Sequence, residues 1–364
     1  MKTHRTLLAA TACALLGACQ NAPLPNATLS AATQIDTNRQ IAQRFLLAIP
    51  SRDAAAMRAV LSPETCLTLT VAGVYSSELH AFPQGTHWDR AALIQNLLAF
   101  QRALTGPFTL EILSLIAEGD LVAAEVIGHG IRAANQRPYI QHYSFHFTIG
   151  HGRILDIRLY QDTFHLWDVW ENPGAPATPP YHGPDGATVS ARQPSPTPAP
   201  PSTPAHTSED ELAANKDAVR RFLTAVPAHD PEASLTAWAP DGVWSFAVGG
   251  GYSPALRAFQ GAPRWERDAM IRMQQNSQTH LTEPMTLDIY SLIAEGDQVS
   301  AEAVGFLVRP NGRAYRQHYS MHFTLRDGKL IEGHVYQDTL HQYDLALDHL
   351  PGAQLTAPHT THHG

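Results

Sequence analysis

The heptapeptide Ser114-Leu115-Ile116-Ala117-Glu118-Gly119-Asp120 points to the fold, because it recurs unchanged at residues 291–297. The same spacing of 177 residues carries Arg44-Phe45-Leu46 onto Arg221-Phe222-Leu223. Further along, a spacing of 176 carries Tyr160-Gln161-Asp162-Thr163 onto Tyr336-Gln337-Asp338-Thr339. Two copies at so long a period predict two duplicated domains, because the units of a solenoid are only about 20 to 50 residues long.

Each repeat begins with helices and continues with strands. Ala42, Phe45, Leu46 and Ile49 are spaced as one buried stripe of a helix. Tight-turn pairs such as Asp327-Gly328 separate the β-rich runs that follow. Helices followed by a strand meander predict an α+β fold, in which each of two domains is a curved, mostly antiparallel sheet packed against its N-terminal helices.

Composition divides the chain into folded and unfolded segments. We predict a first domain at residues 36–171 and a second at residues 208–347. The linker between them, residues 172–207, is rich in proline and cannot bury enough apolar surface to fold. We expect the tether at residues 20–35 and the histidine-containing tail at residues 348–364 to be unstructured as well. The net charge of -8 argues against nucleic acid as a partner.

The N-terminus has the pattern of an export signal. Lys2 and Arg5 precede an apolar run at residues 7–16, which is too short to span a bilayer as a permanent helix. Leu16-Gly17-Ala18-Cys19 resembles the lipobox of bacterial lipoproteins, which implies loss of the signal peptide and acylation of Cys19. We therefore expect a lipid-anchored protein of the cell envelope, at the periplasmic face of the outer membrane. Cys66 has no partner for a disulfide and is expected to be a buried apolar residue.

The second repeat carries several short motifs of a known family. They are Asn215-Lys216, Val219-Arg220-Arg221-Phe222-Leu223, Pro240-Asp241-Gly242-Val243-Trp244, Ala294-Glu295-Gly296-Asp297, Gly312-Arg313-Ala314-Tyr315 and Arg326-Asp327-Gly328-Lys329-Leu330-Ile331-Glu332. With them the chain resembles the SnoaL-like domains of the nuclear transport factor 2-like superfamily, over nearly the whole of both repeats. The resemblance implies a cone of bent sheet and helices around an apolar pocket. It implies no single function, because the superfamily includes polyketide cyclases, ketosteroid isomerases, limonene epoxide hydrolases and proteins without known activity.

Asp162 and Asp338 are the candidate catalytic acid/base residues, each at the end of the last strand of its repeat. Their position resembles that of the proton-transfer aspartate of SnoaL-like cyclases. Strand alternation places Tyr160 beside Asp162 and Tyr336 beside Asp338, so that a phenol and a carboxylate would converge on each pocket. The alternative is structural, with each aspartate capping the strand end and binding backbone amides or an arginine.

Alternation also separates the two faces of the preceding strand. By alternation and by the family resemblance, the apolar set is expected to face the pocket, with His142, His146, His318 and His322 on the opposite face. The predicted pocket residues are Trp88, Tyr143 and Phe145 in the first repeat and Trp244, Phe246, Trp265, Tyr319 and Met321 in the second. Where two such polar faces meet, the domains would form an internal pseudo-dimer. A metal site at the histidines is the alternative, but no third ligand accompanies them, so we expect neither metal nor cofactor.

Glu125 and Glu302 interrupt apolar strands, where each is either buried and hydrogen-bonded or exposed on the outer face. The sequence contains no GxSxG, phosphate-loop, CxxC or HExxH motif. Three functions are therefore open: binding of a small apolar molecule, cyclase or isomerase chemistry with a pocket aspartate, and a non-catalytic adaptor in the envelope. A poised acid in an enclosed cavity would indicate an enzyme, and an open cone without one would indicate a binder. Filled cones with an exposed apolar patch would indicate an adaptor.

Overall fold

The computed structural model describes residues 30–71, 86–170, 207–247, 264–278, 284–308 and 314–342, without the side chains of residues 273–278. The predicted signal peptide with Cys19, the proline-rich linker up to residue 206 and the C-terminal tail lie outside the described residues. Within the described residues, no helix combines the length and the apolar character needed to cross a membrane.

The first domain runs from helix to sheet. Its elements are α1 (Ala31–Ala48), α2 (Ala54–Val60), β1 (Leu61–Leu69), β2 (His87–Asp89), α3 (Arg90–Arg102), β3 (Thr109–Glu118), β4 (Leu121–Ile131), β5 (Pro138–Gly150), β6 (Arg153–Gln161) and α4 (Thr163–Trp170). The sheet order is β2-β1-β6-β5-β4-β3, in which only the β1–β6 pair is parallel.

The second domain repeats this order. Its elements are α5 (Glu209–Ala225), α6 (Pro231–Ala237), β7 (Trp238–Phe246), β8 (Arg264–Glu266), α7 (Arg267–Gln278), β9 (Thr286–Glu295), β10 (Gln298–Val308), β11 (Ala314–Arg326) and β12 (Lys329–Gln337), followed by helical residues 339–342. The strands follow the order β8-β7-β12-β11-β10-β9, again with one parallel pair, β7–β12. The α+β fold of two domains, each with a mostly antiparallel sheet and helices, is as predicted.

Helix α1 begins earlier than the sequence indicated. The side chain of Ser30 accepts a hydrogen bond from the Thr33 amide at 3.2 Å, which caps the helix at its first turn. Residues 31–35, which the sequence analysis assigned to an unstructured tether, are thus helical. The helix then buries Ile41, Ala42, Phe45 and Leu46 against the sheet, in the spacing that the sequence predicted.

The helices cover one face of each sheet, and the opposite faces of the two sheets meet. At the centre, the hydroxyl oxygens of Ser144 on β5 and Ser320 on β11 lie 2.8 Å apart. At the edge, Lys216 pairs with Glu118 at 2.5 Å, and the equivalent pair joins Arg39 to Glu295. These contacts thus join equivalent residues of the two domains.

Candidate functional site

An apolar cavity of about 140 Å³ lies between the sheet and the helices of the first domain. Its lining comes from the helices at Phe45, Ile49, Leu93, Asn96, Leu97, Phe100 and Leu166, and from the sheet and its connections at Leu67, Leu69, Trp88, Phe108, Leu110, Tyr139, Tyr143, Phe145, Leu159 and Gln161. Three of these residues, Trp88, Tyr143 and Phe145, are ones that the sequence analysis placed at a pocket. The cavity is therefore built from almost every element of its domain.

The polar groups of the cavity are few and uncharged. The hydroxyls of Tyr139 and Tyr143 lie 3.1 Å apart, and Gln161 and Asn96 contribute side-chain amides. No Asp, Glu, Lys, Arg or His is among the described residues that line it. Burial raises the pKa of both tyrosines above the ordinary value, so both hydroxyls stay protonated at neutral pH.

The predicted pocket residues of the second domain all belong to its apolar core. Trp244 and Met321 are buried there, and Tyr319, Phe246 and Trp265 pack against the same cluster. The rings of Phe246 and Trp265 meet edge to face at a centroid distance of 5.0 Å. These residues lie on the helix-covered face of their own sheet, which is equivalent to the face that lines the cavity in the first domain.

Asp162 is not among the residues that line the cavity of its own domain, and Asp162 and Asp338 both form hydrogen bonds across the interface between the domains. Asp162 follows β6 and accepts hydrogen bonds from the amide of His165 at 3.1 Å and from the hydroxyl of Thr339 at 2.5 Å. Asp338 does the same with the amide of His341 at 3.1 Å and the hydroxyl of Thr163 at 2.6 Å. Both carboxylates therefore hold the first turn of a helix and a threonine of the other domain, as in the structural alternative.

Tyr160 and Tyr336 are also turned away from the cavity, toward the interface between the domains. On β6 it is Leu159 and Gln161 that point into the cavity, so Tyr160 between them must point out. The pairing of β5 with β6 sets this orientation, because Tyr143 lies opposite Gln161 and Ser144 lies opposite Tyr160. The tyrosine and the aspartate do share a face, but it is the outer one.

The outer face buries Glu302 in a cluster with three residues of the first domain, which we call the Glu302 cluster. Arg158 donates two hydrogen bonds to its carboxylate, each of 2.7 Å, and the hydroxyl of Tyr160 donates a third at 2.9 Å. Nδ1 of His146 lies 3.3 Å away. Burial alone would raise the pKa of Glu302, but His146 and the Arg158 guanidinium outweigh it and lower the pKa.

Glu125 occupies the equivalent position in the first domain and forms the Glu125 cluster with residues of the second. His334 takes the place of Arg158 and lies with Nδ1 2.8 Å from the carboxylate, while Tyr336 donates a hydrogen bond of 3.0 Å. Nε2 of His334 lies 3.2 Å from Glu332. Burial opposes the charge on His334, but the two carboxylates outweigh it and raise the pKa of His334 to about 10. At neutral pH this cluster therefore also holds an ion pair.

The histidines of β5 and β11 lie on the outer face, as alternation predicted. Nε2 of His146 is 2.8 Å from the Ser320 hydroxyl, and Nε2 of His322 is 2.8 Å from the Ser144 hydroxyl. Burial lowers the pKa of His146 to about 4, although the Glu302 carboxylate beside it opposes this shift. In the part of the chain that the structure describes, no three His, Cys, Asp or Glu side chains come together as metal ligands could.

Sequence reasoning missed Tyr139 and Gln161, the polar residues that flank Tyr143 in the cavity. Tyr139 lies four residues before Tyr143 on β5, so it shares a face with it. Gln161 could have been found from the strand pairing, since it lies opposite Tyr143. Cys66, expected to be buried, is half-buried on β1.

Comparisons with known proteins identify the domain type. The model of the family described as "SnoaL-like domain" matches residues 219–333. No curated protein matches the sequence.

Three similar solved structures each cover about one domain of the chain. An NTF2-like protein of unknown function from Burkholderia pseudomallei is 21% identical over 36% of this chain and 96% of its own, with a TM-score of 0.31. TerC, co-crystallised with polyporic acid, is 20% identical over 36% of this chain and 97% of its own, with a TM-score of 0.31. An LEH-like epoxide hydrolase from M. tuberculosis is 18% identical over 38% of this chain and 97% of its own, with a TM-score of 0.30.

The family match rests on the second repeat, and the first repeat has the same strand order and the same sequence motifs. Residues 219–333 are therefore a SnoaL-like domain, and the two six-stranded sheets of the chain, which share one strand order, form two domains.

Proposed function

We propose that the first domain binds a small apolar molecule in the cavity between its sheet and its helices. The observation that carries this proposal is the lining, which is aromatic and aliphatic apart from two tyrosine hydroxyls and two amides. An apolar site with a few fixed polar groups is the common form of a small-molecule pocket.

The same lining favours binding over proton transfer. A general acid or base must reach its substrate within hydrogen-bond distance, and its pKa must lie near the working pH. The hydroxyls of Tyr139 and Tyr143 have raised pKa values, and the nearest candidates of the sequence analysis, Asp162 and Asp338, hold helix ends at the interface. Cyclase or isomerase chemistry, and a purely adaptor role, remain the competing functions.

Binding of 4-fluorotoluene, followed by ¹⁹F NMR, tests the proposal. Leu97→Trp should abolish binding, because Leu97 lines the cavity from α3 and a larger ring there would fill it. Leu47→Trp is the matched control, since Leu47 is an exposed residue of α1 and the same substitution leaves the cavity empty. Should Leu97→Trp unfold the domain, Leu69→Phe gives a milder block, since the second repeat itself has Phe246 at this position. Unchanged binding in a folded blocking variant would refute the site.

We also propose that the contacts between the domains persist in solution as an internal pseudo-dimer. The two buried carboxylate clusters and the Ser144–Ser320 contact support this, because they satisfy polar groups that would otherwise face water or remain unpaired. Small-angle scattering of the full chain without its signal peptide should give one compact particle. A distribution of distances with two separate maxima would reject the pairing.

For location, we propose a lipid anchor on Cys19 that holds the protein at the periplasmic face of the outer membrane. The support is the sequence Leu16-Gly17-Ala18-Cys19 behind its short apolar run. In a bacterial host, radiolabelled palmitate should enter the protein and Cys19→Ser should remove the label. Label retained in Cys19→Ser would disprove acylation at this residue.

A further inference from the structure

The volume of the cavity sets the size of its ligand. A dry cavity of roughly 150 Å³ lined by Leu, Ile and Phe accepts benzene. The cavity of the first domain has about 140 Å³, so it has room for one six-membered ring with a small substituent. A fused polycyclic molecule would need the surrounding residues to move.

The walls of the cavity suit an aromatic ring. Phe100 meets Phe108 edge to face at a centroid distance of 5.2 Å, and it meets Tyr139 at 5.4 Å. Tyr143 and Phe145 lie 5.8 Å apart in a tilted arrangement. All five rings line the cavity, so an aromatic ligand would contact aromatic surface there.

One end of the cavity offers both donors and acceptors. The hydroxyls of Tyr139 and Tyr143 form one hydrogen bond with each other, so only one of their two hydrogens lies between them. Gln161 is the cross-strand neighbour of Tyr143 on the same face, and its side-chain amide forms no hydrogen bond with a described residue. A hydroxyl on the ligand could accept from the tyrosine pair and donate to the Gln161 carbonyl.

The cavity discriminates against ions. None of the described residues that line it carries a charge at neutral pH, and burying an unpaired ion is far more costly than burying a hydrogen-bonded hydroxyl. The ligand must therefore be neutral, with its polar atom at the tyrosine end.

We infer that the first domain selects an uncharged phenol, whose ring fills the apolar part of the cavity and whose hydroxyl bonds to Tyr139, Tyr143 and Gln161. This inference rests on the proposed binding function and specifies its ligand class. The inferred ligand has one aromatic ring and one hydroxyl group.

The test compares 4-fluorophenol with 4-fluorotoluene, which have the same shape and differ by a hydroxyl in place of a methyl group. The affinities are measured by ¹⁹F NMR at pH 7, where this phenol is neutral. We expect 4-fluorophenol to bind about tenfold tighter to the wild-type protein, which is the effect of one or two well-formed hydrogen bonds. In the double variant Tyr139→Phe/Tyr143→Phe the preference for 4-fluorophenol should disappear, because the ligand hydroxyl keeps only Gln161 as a partner while the ring surface is kept.

Two further variants test whether the preference for 4-fluorophenol depends on the polar residues of the cavity. Tyr290→Phe is the matched control, since Tyr290 lies outside the cavity and its hydroxyl meets that of Tyr160 at the interface. It should leave the tenfold preference intact. Gln161→Met should reduce the preference by about threefold and serves if the double variant does not fold.

The outcomes separate the two proposals. Equal binding of both probes, or tighter binding of 4-fluorotoluene to the wild type, overturns the phenol class and leaves the binding function standing. Failure of both probes to bind overturns both proposals. A preference for 4-fluorophenol that survives in Tyr139→Phe/Tyr143→Phe shows that these hydroxyls do not recognise the ligand, and it also overturns the inference.

Discussion

The Glu302 and Glu125 clusters are the same structure built twice, with one change of cation. Each has a buried carboxylate and a tyrosine hydroxyl, but Glu302 is paired with Arg158 and Glu125 with His334. An arginine keeps its charge at any pH that a protein tolerates, whereas a histidine can release its proton. The two halves of the interface should therefore respond differently to the loss of a partner and to pH.

The largest difference should appear when each carboxylate is neutralised. Glu302→Gln leaves the Arg158 guanidinium, whose side chain is only 25% exposed, without its main partner. We expect a loss of about 3 kcal/mol in the free energy of unfolding, at the lower end for a broken buried ion pair because Asp156 still contacts Arg158. Glu125→Gln should cost less, about 2 kcal/mol, because Glu332 still contacts His334 and the ring can then release its proton. Urea denaturation at pH 7 measures both.

Glu111→Gln is the control for these variants, because Glu111 is an exposed residue of β3. It should change the stability by less than about 0.5 kcal/mol. Equal losses for Glu302→Gln and Glu125→Gln would mean that the identity of the cation does not affect the stability of the interface.

A second difference between the halves lies in their cores. On the parallel strand pair, Leu67 lies opposite Ile157 in the first domain and Trp244 lies opposite Gly333 in the second. A Cβ on Gly333 would come within 2.7 Å of the Trp244 ring and 2.8 Å of Trp238. The large indole rings are therefore accommodated by the missing side chain of the neighbouring strand.

Gly333→Ala should destabilise the second domain by about 2 kcal/mol through overpacking. The melting temperature and urea midpoint measure the loss. The double variant Gly333→Ala/Trp244→Leu should lose less stability than the sum of its single substitutions. Leucine, which the first domain has at the equivalent position, is smaller than tryptophan and leaves room for the new methyl group. Strict additivity would show that the glycine is not there to admit the tryptophan.

The fold and the two faces of β5 could be predicted from the sequence, whereas the orientation of Tyr160 and the contacts between the domains could not. The repeat and the hydrophobic spacing of residues such as Phe45 and Leu46 predicted two α+β domains, because both depend on local pattern alone. The faces of β5 were also assigned, since alternation separates Tyr143 from His142 and His146. Tyr160 was placed on the wrong side because alternation within one strand gives two faces without saying which is inner.

Only the pairing between strands resolves that ambiguity. Ser144 lies between His142 and His146 at a spacing of two residues, so it shares their outer face, and its partner across the ladder is Tyr160. The burial of Glu125 and Glu302 was left open for a different reason. Their partners belong to the other domain, so the contact depends on how two folded domains meet, which no pattern within a single repeat encodes.

Alkaline pH should affect the two clusters unequally. The pKa of His334 is raised in the folded state to about 10, so its stabilising contribution is complete below the unfolded value of about 6.5 and is lost as the pH rises toward 10. His334→Arg should remove this loss, which amounts to at most about 1.4 kcal/mol per pH unit. The measurement is the difference in unfolding free energy between wild type and variant from pH 7 to 9.5, in which groups common to both cancel.

Arg158→His provides the reciprocal variant. It replaces the permanent cation of the Glu302 cluster by a titratable one, and it should steepen the loss of stability over the same pH range. Parallel pH profiles of stability for wild type and His334→Arg would show that His334 is not the group that titrates in this pH range.

The smallest effect should come from the part of the interface that is truly symmetric. Thr339 accepts a hydrogen bond from the amide of Phe164 at 3.0 Å, and Thr163 accepts one from the amide of Leu340 at 2.9 Å, so each threonine helps to cap a helix of the other domain. Thr163→Ala and Thr339→Ala should each cost about 1 kcal/mol, the usual value of a helix cap, and Thr→Ser at either position should restore it. Because the two sites have the same partners, urea denaturation should give equal losses, unlike those at Glu302 and Glu125. Clearly unequal losses would show that the asymmetry of the interface extends beyond the exchange of Arg158 for His334.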